Sequence, residues 1–209
     1  MGGPAFEEST TLLSATNDAG LRRVVLLVAL LNLFYFGIEF AVALTIGSVS
    51  LFADSVDFLE DASINLLILV GLGWPAARRR KLGMLLAAII LVPALATLWT
   101  AAQKLAVPVA PAALPLTLTG AGALLVNFVC AAMLVRYRHH GGSLSLAAFL
   151  SARNDVLANA AIIAAGLVTV YWVSPWPDLA VGLGIAAINA GAAWDVLQAA
   201  RKERDVPVS

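Results

Sequence analysis

Six long apolar runs, near residues 23–45, 49–73, 82–104, 113–135, 144–171 and 178–200, alternate along the chain with short polar clusters. A helix rises about 1.5 Å per residue and the hydrocarbon core of a bilayer is roughly 30 Å thick, so about 20 apolar residues cross it. The pattern therefore predicts an all-α membrane protein of six transmembrane helices with short connections. Residues 1–20 read as a flexible polar leader, 21–201 as one transmembrane unit and 202–209 as a short tail, with no cytoplasmic domain and no cleavable signal segment.

Basic residues orient the spans. Arg22 and Arg23 precede the first, Arg78, Arg79, Arg80 and Lys81 join the second to the third, Arg136 and Arg138 join the fourth to the fifth, and Arg201, Lys202 and Arg204 follow the sixth. With six spans these all fall on one side, and the other side keeps only Lys104. The positive-inside rule then places both termini in the cytoplasm of a multi-pass protein, expected in a bacterial inner membrane.

Composition agrees. The 209 residues are 61% hydrophobic and 12% charged, with a mean hydropathy of +0.90, where soluble domains carry roughly 25% charged residues. A net charge of zero gives no footing for a nucleic-acid partner; the bilayer is the partner expected. The single cysteine, Cys130, excludes an internal disulfide and a cysteine-built metal cage, and reads as a packing residue.

Against this background the stretch "SLFADSVDFLEDASINLL" (50–67) stands out, with Asp54, Asp57, Glu60 and Asp61 inside a span. An ionisable group near a helix centre costs at least about 2.5–3.5 kcal/mol, so each demands a partner or a function. At 100° per residue, Asp54, Asp57, Asp61 and Asn65 form one stripe with Glu60 at its edge, while Ser151, Asp155 and Asn159 form a stripe on the fifth span. Asn32 and Glu39 share a face of the first span. Asp61 lies roughly 18 Å below the outer boundary and Asp155 roughly 17 Å above the inner one, with Asp57 nearer still to the height of Asp155. Carboxylates of two antiparallel helices thus meet near the midplane, where protons or a cation must neutralise them. Asn32, Asn127 and Asn189 read as interhelical glue. Arg153 either pairs with Glu60 or reaches water separately. Asp178 and Asp195, near helix ends, are expected to be solvated.

"DFLEDASIN" (57–65) and "SARNDVLAN" (151–159) share D-x-x-x-N with an oxygen-bearing residue four before the Asp. They lie in the middle members of two three-helix halves, the arrangement of a 3+3 inverted repeat.

"GSVSLFADSVDFLEDA" resembles the second span of the cation diffusion facilitator family, patterned S-x-A/S-L-x-A-D-A/S-x-H/D-x-x-x-D. "ARNDVLANAAIIAAGL" is similar to its fifth span, and "LNLFYFGIEF", "LLVNFVCAAML" and "WPDLAVGLGIAAINAG" to its first, fourth and sixth, so the resemblance covers residues 21–201. It implies a homodimeric exporter that exchanges cytoplasmic divalent metal, zinc first, for protons, with no prosthetic group. It further implies metal ligands at Asp57, Asp61, Asp155 and Ser151. The usual His is absent from this set, and an oxygen-only site also suits Mn²⁺ or Fe²⁺, with Co²⁺ and Cd²⁺ as further substrates to test. Asn154 or water is the alternative to Ser151; Asp54, Glu60, Asn65, Asn159 and Glu39 are accessory or pathway candidates. The family's His-rich loop is reduced to "RYRHHGG", leaving His139 and His140 to capture metal or simply to be solvated. Most members also carry a soluble cytoplasmic domain after the last span, which this chain is expected to lack, so a dimer is expected to form through the membrane helices.

The expected mechanism is alternating access, with Pro93 kinking the third span and Gly182, Ala186 and Ala190 permitting close contacts of the sixth. No enzyme is expected: the membrane phosphotransferases that hold metals on helical Asp need D-x-x-D-G-x-x-A-R, and Phe58 follows Asp57 here. A non-transporting metal sensor or structural membrane protein is the alternative of another class.

Overall fold

In the first helical connection, Gly47 alone takes a left-handed backbone conformation (φ 63°), which a glycine adopts without a Cβ penalty. This closes the preceding helix in a Schellman arrangement, with Ser48 N donating to Ala43 O at 3.0 Å. Ser48 then caps the next helix, its Oγ accepting from Leu51 N at 3.1 Å. Two residues therefore stop one helix and start another, and force the two to run antiparallel side by side.

The computed structural model describes residues 4–71, 95–135 and 142–202, all in helices and their connections. The helices are α1 (Pro4–Ile46), α2 (Val49–Gly71), α3 (95–106), α4 (Ala113–Leu134), α5 (Gly142–Tyr171) and α6 (Trp176–Lys202). No strand occurs among the described residues. Each described helix falls on an apolar run of the sequence. From Pro4 onward the leader is drawn as a helical extension of α1. Pro93, the basic loop 78–81 and His139 and His140 lie outside the described residues.

Among the described residues, three segments are long and apolar enough to cross a membrane on length and composition alone: Ala19–Ile46, Ala113–Leu134 and Asn154–Tyr171. The carboxylates of α2 are the reason it fails the same test, and α6 contributes the apolar stretch Trp176–Ile188.

α1 packs mainly on α2 and α4 mainly on α5; α1 also meets α4, and α2 meets α5 and α6. Apolar clusters sit at both ends of this bundle. Leu21, Val25 and Val28 pack with Cys130 and Leu134 toward one end; Leu51, Phe52 and Val56 pack with Leu116, Ile162 and Ile185 toward the other. Polar side chains fill the space between, while large apolar ones face outward: Phe34 is 70% exposed and Leu118 63%. A soluble protein reverses this arrangement; a bilayer accepts it, and the protein is a multi-pass integral membrane protein.

Gly182 lets α6 approach α2 closely. A Cβ there would lie 2.7 Å from the carbonyl carbon of Val49 and 2.8 Å from Ser50 N. Of the small residues singled out on this span, Ala186 is buried as well, whereas Ala190 is exposed.

Candidate cation site between the second, fifth and sixth helices

The α2 stripe faces the protein interior. Asp54, Asp57, Asp61 and Asn65 are all buried, and Glu60 at the stripe's edge is half-buried. Helical spacing set this outcome: residues three and four apart share a face, and the opposite face of α2 carries the apolar side chains.

Asp57 and Asp155 open onto one cavity of about 480 Å³ between α2, α5 and α6, with Asn154 beside them and mainly apolar walls that include Leu157, Val181 and Ile185. The depth argument gathered Asp57, Asp61 and Asp155 near the midplane; of these, Asp57 and Asp155 line the cavity. Asp61, one turn further along α2, is buried without lining it. Asp155 nevertheless lies within electrostatic reach of Asp61, Asp57, Asp54 and Glu60. Among the described residues, no three His, Cys, Asp or Glu side chains converge tightly enough to enclose a metal ion. The side chains of Ser151 and Arg153 lie outside the described set, and with them the fourth ligand position and the Arg153–Glu60 pair.

The two D-x-x-x-N segments adopt one local structure. Asn65 Nδ2 donates to Asp61 O at 2.8 Å, and Asn159 Nδ2 donates to Asp155 O at 2.8 Å. Each Asn thereby fixes the turn of helix that carries its Asp. Asn159 Nδ2 also approaches Asp54 Oδ1 at 3.4 Å, linking α5 to α2. On α1, Glu39 and Asn32 are fully buried, and Asn32 Oδ1 accepts from Cys130 Sγ at 3.7 Å, which joins α1 to α4. Asn127 is buried on α4.

Asp178 corrects the sequence reading. Expected to be solvated at a helix end, it is wholly buried. Its Oδ1 accepts from Ser48 Oγ at 2.6 Å, Ser50 Oγ at 2.7 Å and Ser50 N at 3.1 Å. Its Oδ2 accepts from Val49 N at 2.8 Å and pairs with Lys104 Nζ at 3.4 Å. Lys104 Nζ donates in addition to Gly47 O. A carboxylate from α6 thus sits on the positive end of α2, supplying the acceptors that its first amides lack. Two signals pointed here: Lys104 is the lone basic residue of its side, and Ser48 and Ser50 flank the start of α2.

Residues 25–203 match the family model described as the cation efflux transmembrane domain. No curated protein matches the chain.

Proposed function

The chain belongs to the cation efflux family of membrane transporters, and we propose that it exports a divalent metal cation from the cytoplasm in exchange for protons. The observation that carries this reading is the meeting of Asp57 and Asp155, from two helices, on one cavity inside the membrane unit. A volume of about 480 Å³ leaves room for water beside a cation.

Asp57 and Asp155 take the cation, Asp61 adds negative charge from the next turn, and Ser151 or Asn154 completes the oxygen set. The apolar walls offer no competing ligands. Rocking of the helices then exposes the site to the opposite face, where protons replace the metal on the carboxylates and the neutral site returns. Zinc is the first substrate to test, on the family's habit; the all-oxygen donors make Mn²⁺ its main competitor. The working unit is a homodimer held through membrane helices.

The test is metal flux into proteoliposomes loaded with a pH reporter, across Zn²⁺, Mn²⁺, Fe²⁺, Co²⁺ and Cd²⁺. Metal uptake with opposite proton movement, absent from Asp155→Asn, supports the reading. Flux without proton movement removes the coupling, and no flux for any of the five ions removes the transport of these metals.

A further inference from the structure

About one helical turn from the cavity, toward the Gly47 turn, lies a second group of polar side chains that the cavity does not use. Glu39 is seven residues before the end of α1 and Asp54 five after the start of α2; at about 1.5 Å per residue both lie roughly 8–10 Å inside those ends. Asn159 joins them from α5, with its amide on Asp54. All three side chains are wholly buried.

Their hydrogen bonding does not close. Glu39 and Asp54 lie within hydrogen-bond distance of each other, a contact that two carboxylates make only with a proton or a cation between them, and Glu39 Oε1 and Oε2, Asp54 Oδ2 and Asn159 Oδ1 receive no hydrogen bond from an N–H or O–H of the described residues. Every one of these atoms is an acceptor. The only donor in the group, Asn159 Nδ2, is spent on Asp54 Oδ1 and Asp155 O. The Tyr35 hydroxyl, one turn before Glu39, donates instead to Thr119 O at 2.6 Å. Asn32 Nδ2 is an unpartnered donor, but it is seven residues from Glu39, roughly 10 Å along α1. Four acceptor atoms buried without a donor are costly unless a proton or a cation joins them.

We propose that Glu39, Asp54 and Asn159 form a second cation site, one turn beyond the cavity on the release side of the path. This rests on the reading of the cavity as the first site. Two carboxylates neutralise one divalent cation, and the oxygen-only set selects a hard ion such as Mn²⁺ over soft ones. Asn159 couples the two positions, because one amide touches both Asp54 and the backbone of Asp155. The exported ion then steps from Asp57 and Asp155 to Asp54 and Glu39 before it leaves.

The test is equilibrium Mn²⁺ binding to the full chain in lipid nanodiscs, with thermal unfolding as the folding control. Two Mn²⁺ per chain are expected in the wild type, one in Asp155→Asn and one in Glu39→Gln, with the second ion weakened at least tenfold in the latter. Asp54→Asn replaces Glu39→Gln if that variant fails to fold. One Mn²⁺ that is lost in Asp155→Asn and kept in Glu39→Gln overturns the second site and leaves the cavity reading intact; that is also the result if the two carboxyls merely share a proton. One Mn²⁺ kept in Asp155→Asn and lost in Glu39→Gln upholds this site and overturns the cavity. No binding at all overturns both.

Discussion

Asn65 and Asn159 perform the same task on different helices: each donates to the carbonyl of the Asp four residues before it. Each amide is directed at the backbone of the turn that carries its Asp and not at the carboxylate of that Asp. Replacing Asp57 or Asp155 by Asn is expected to lower metal flux at least about tenfold, the lower bound expected from the cost of disturbing a metal's support, with thermal stability unchanged or improved. Asn159→Ala is expected to cost only about 1 kcal/mol of stability while slowing transport, and unfolding and flux measured on one preparation separate the two effects. The Asp57–Asp155 pairing was legible because helical spacing and depth both follow from residue counts. The lack of a donor for Glu39 was not, since hydrogen-bond satisfaction depends on which neighbours arrive.

At the scale of elements, Asp178 binds α6 to the start of α2 and to Lys104 of α3. Asp178→Ala leaves Lys104 buried without its counter-charge and strips two amides of their acceptor; a loss of roughly 3–5 kcal/mol is expected. Lys104→Met is expected to cost less, because Asp178 keeps four hydrogen bonds from the serines and amides. Equal losses in thermal unfolding of the two variants would contradict this ranking. Gly182→Ala places a Cβ against backbone that has little room to move, and roughly 1–3 kcal/mol of destabilisation is expected from such overpacking. Helix positions could be read from apolar runs, but a helix end shows no sign in sequence of what docks on it. Asp178 was therefore misread as solvated, although Lys104 stood out in the sequence as the basic residue left on that side.

For the whole molecule, the decisive contrast is a polar interior inside an apolar exterior. Tyr171, Trp172 and Trp176 lie exposed at the α5–α6 connection, where aromatic side chains meet the boundary between lipid and water. Six spans with one-sided basic clusters are expected to place both termini in the same compartment. In a Cys130→Ser background, Ser9→Cys and Ser209→Cys are expected to react with an impermeant thiol reagent only after the cytoplasmic face is opened. Labelling of one from each side would break the six-span topology. This level was the most legible in the sequence, because hydropathy acts over whole spans and tolerates local exceptions such as α2.

The Asp178 clasp also imposes an order on biosynthesis. Ser48 and Asp178 are 130 residues apart in the chain, so at roughly 5–20 residues per second the ribosome needs on the order of ten seconds to supply the acceptor after the donors have emerged. Until then the first hairpin carries open amides and Lys104 lacks its counter-ion. Completion of the last helix seals them together. A chain that ends before α6 thus keeps an uncompensated cation and an open helix end that the finished bundle closes.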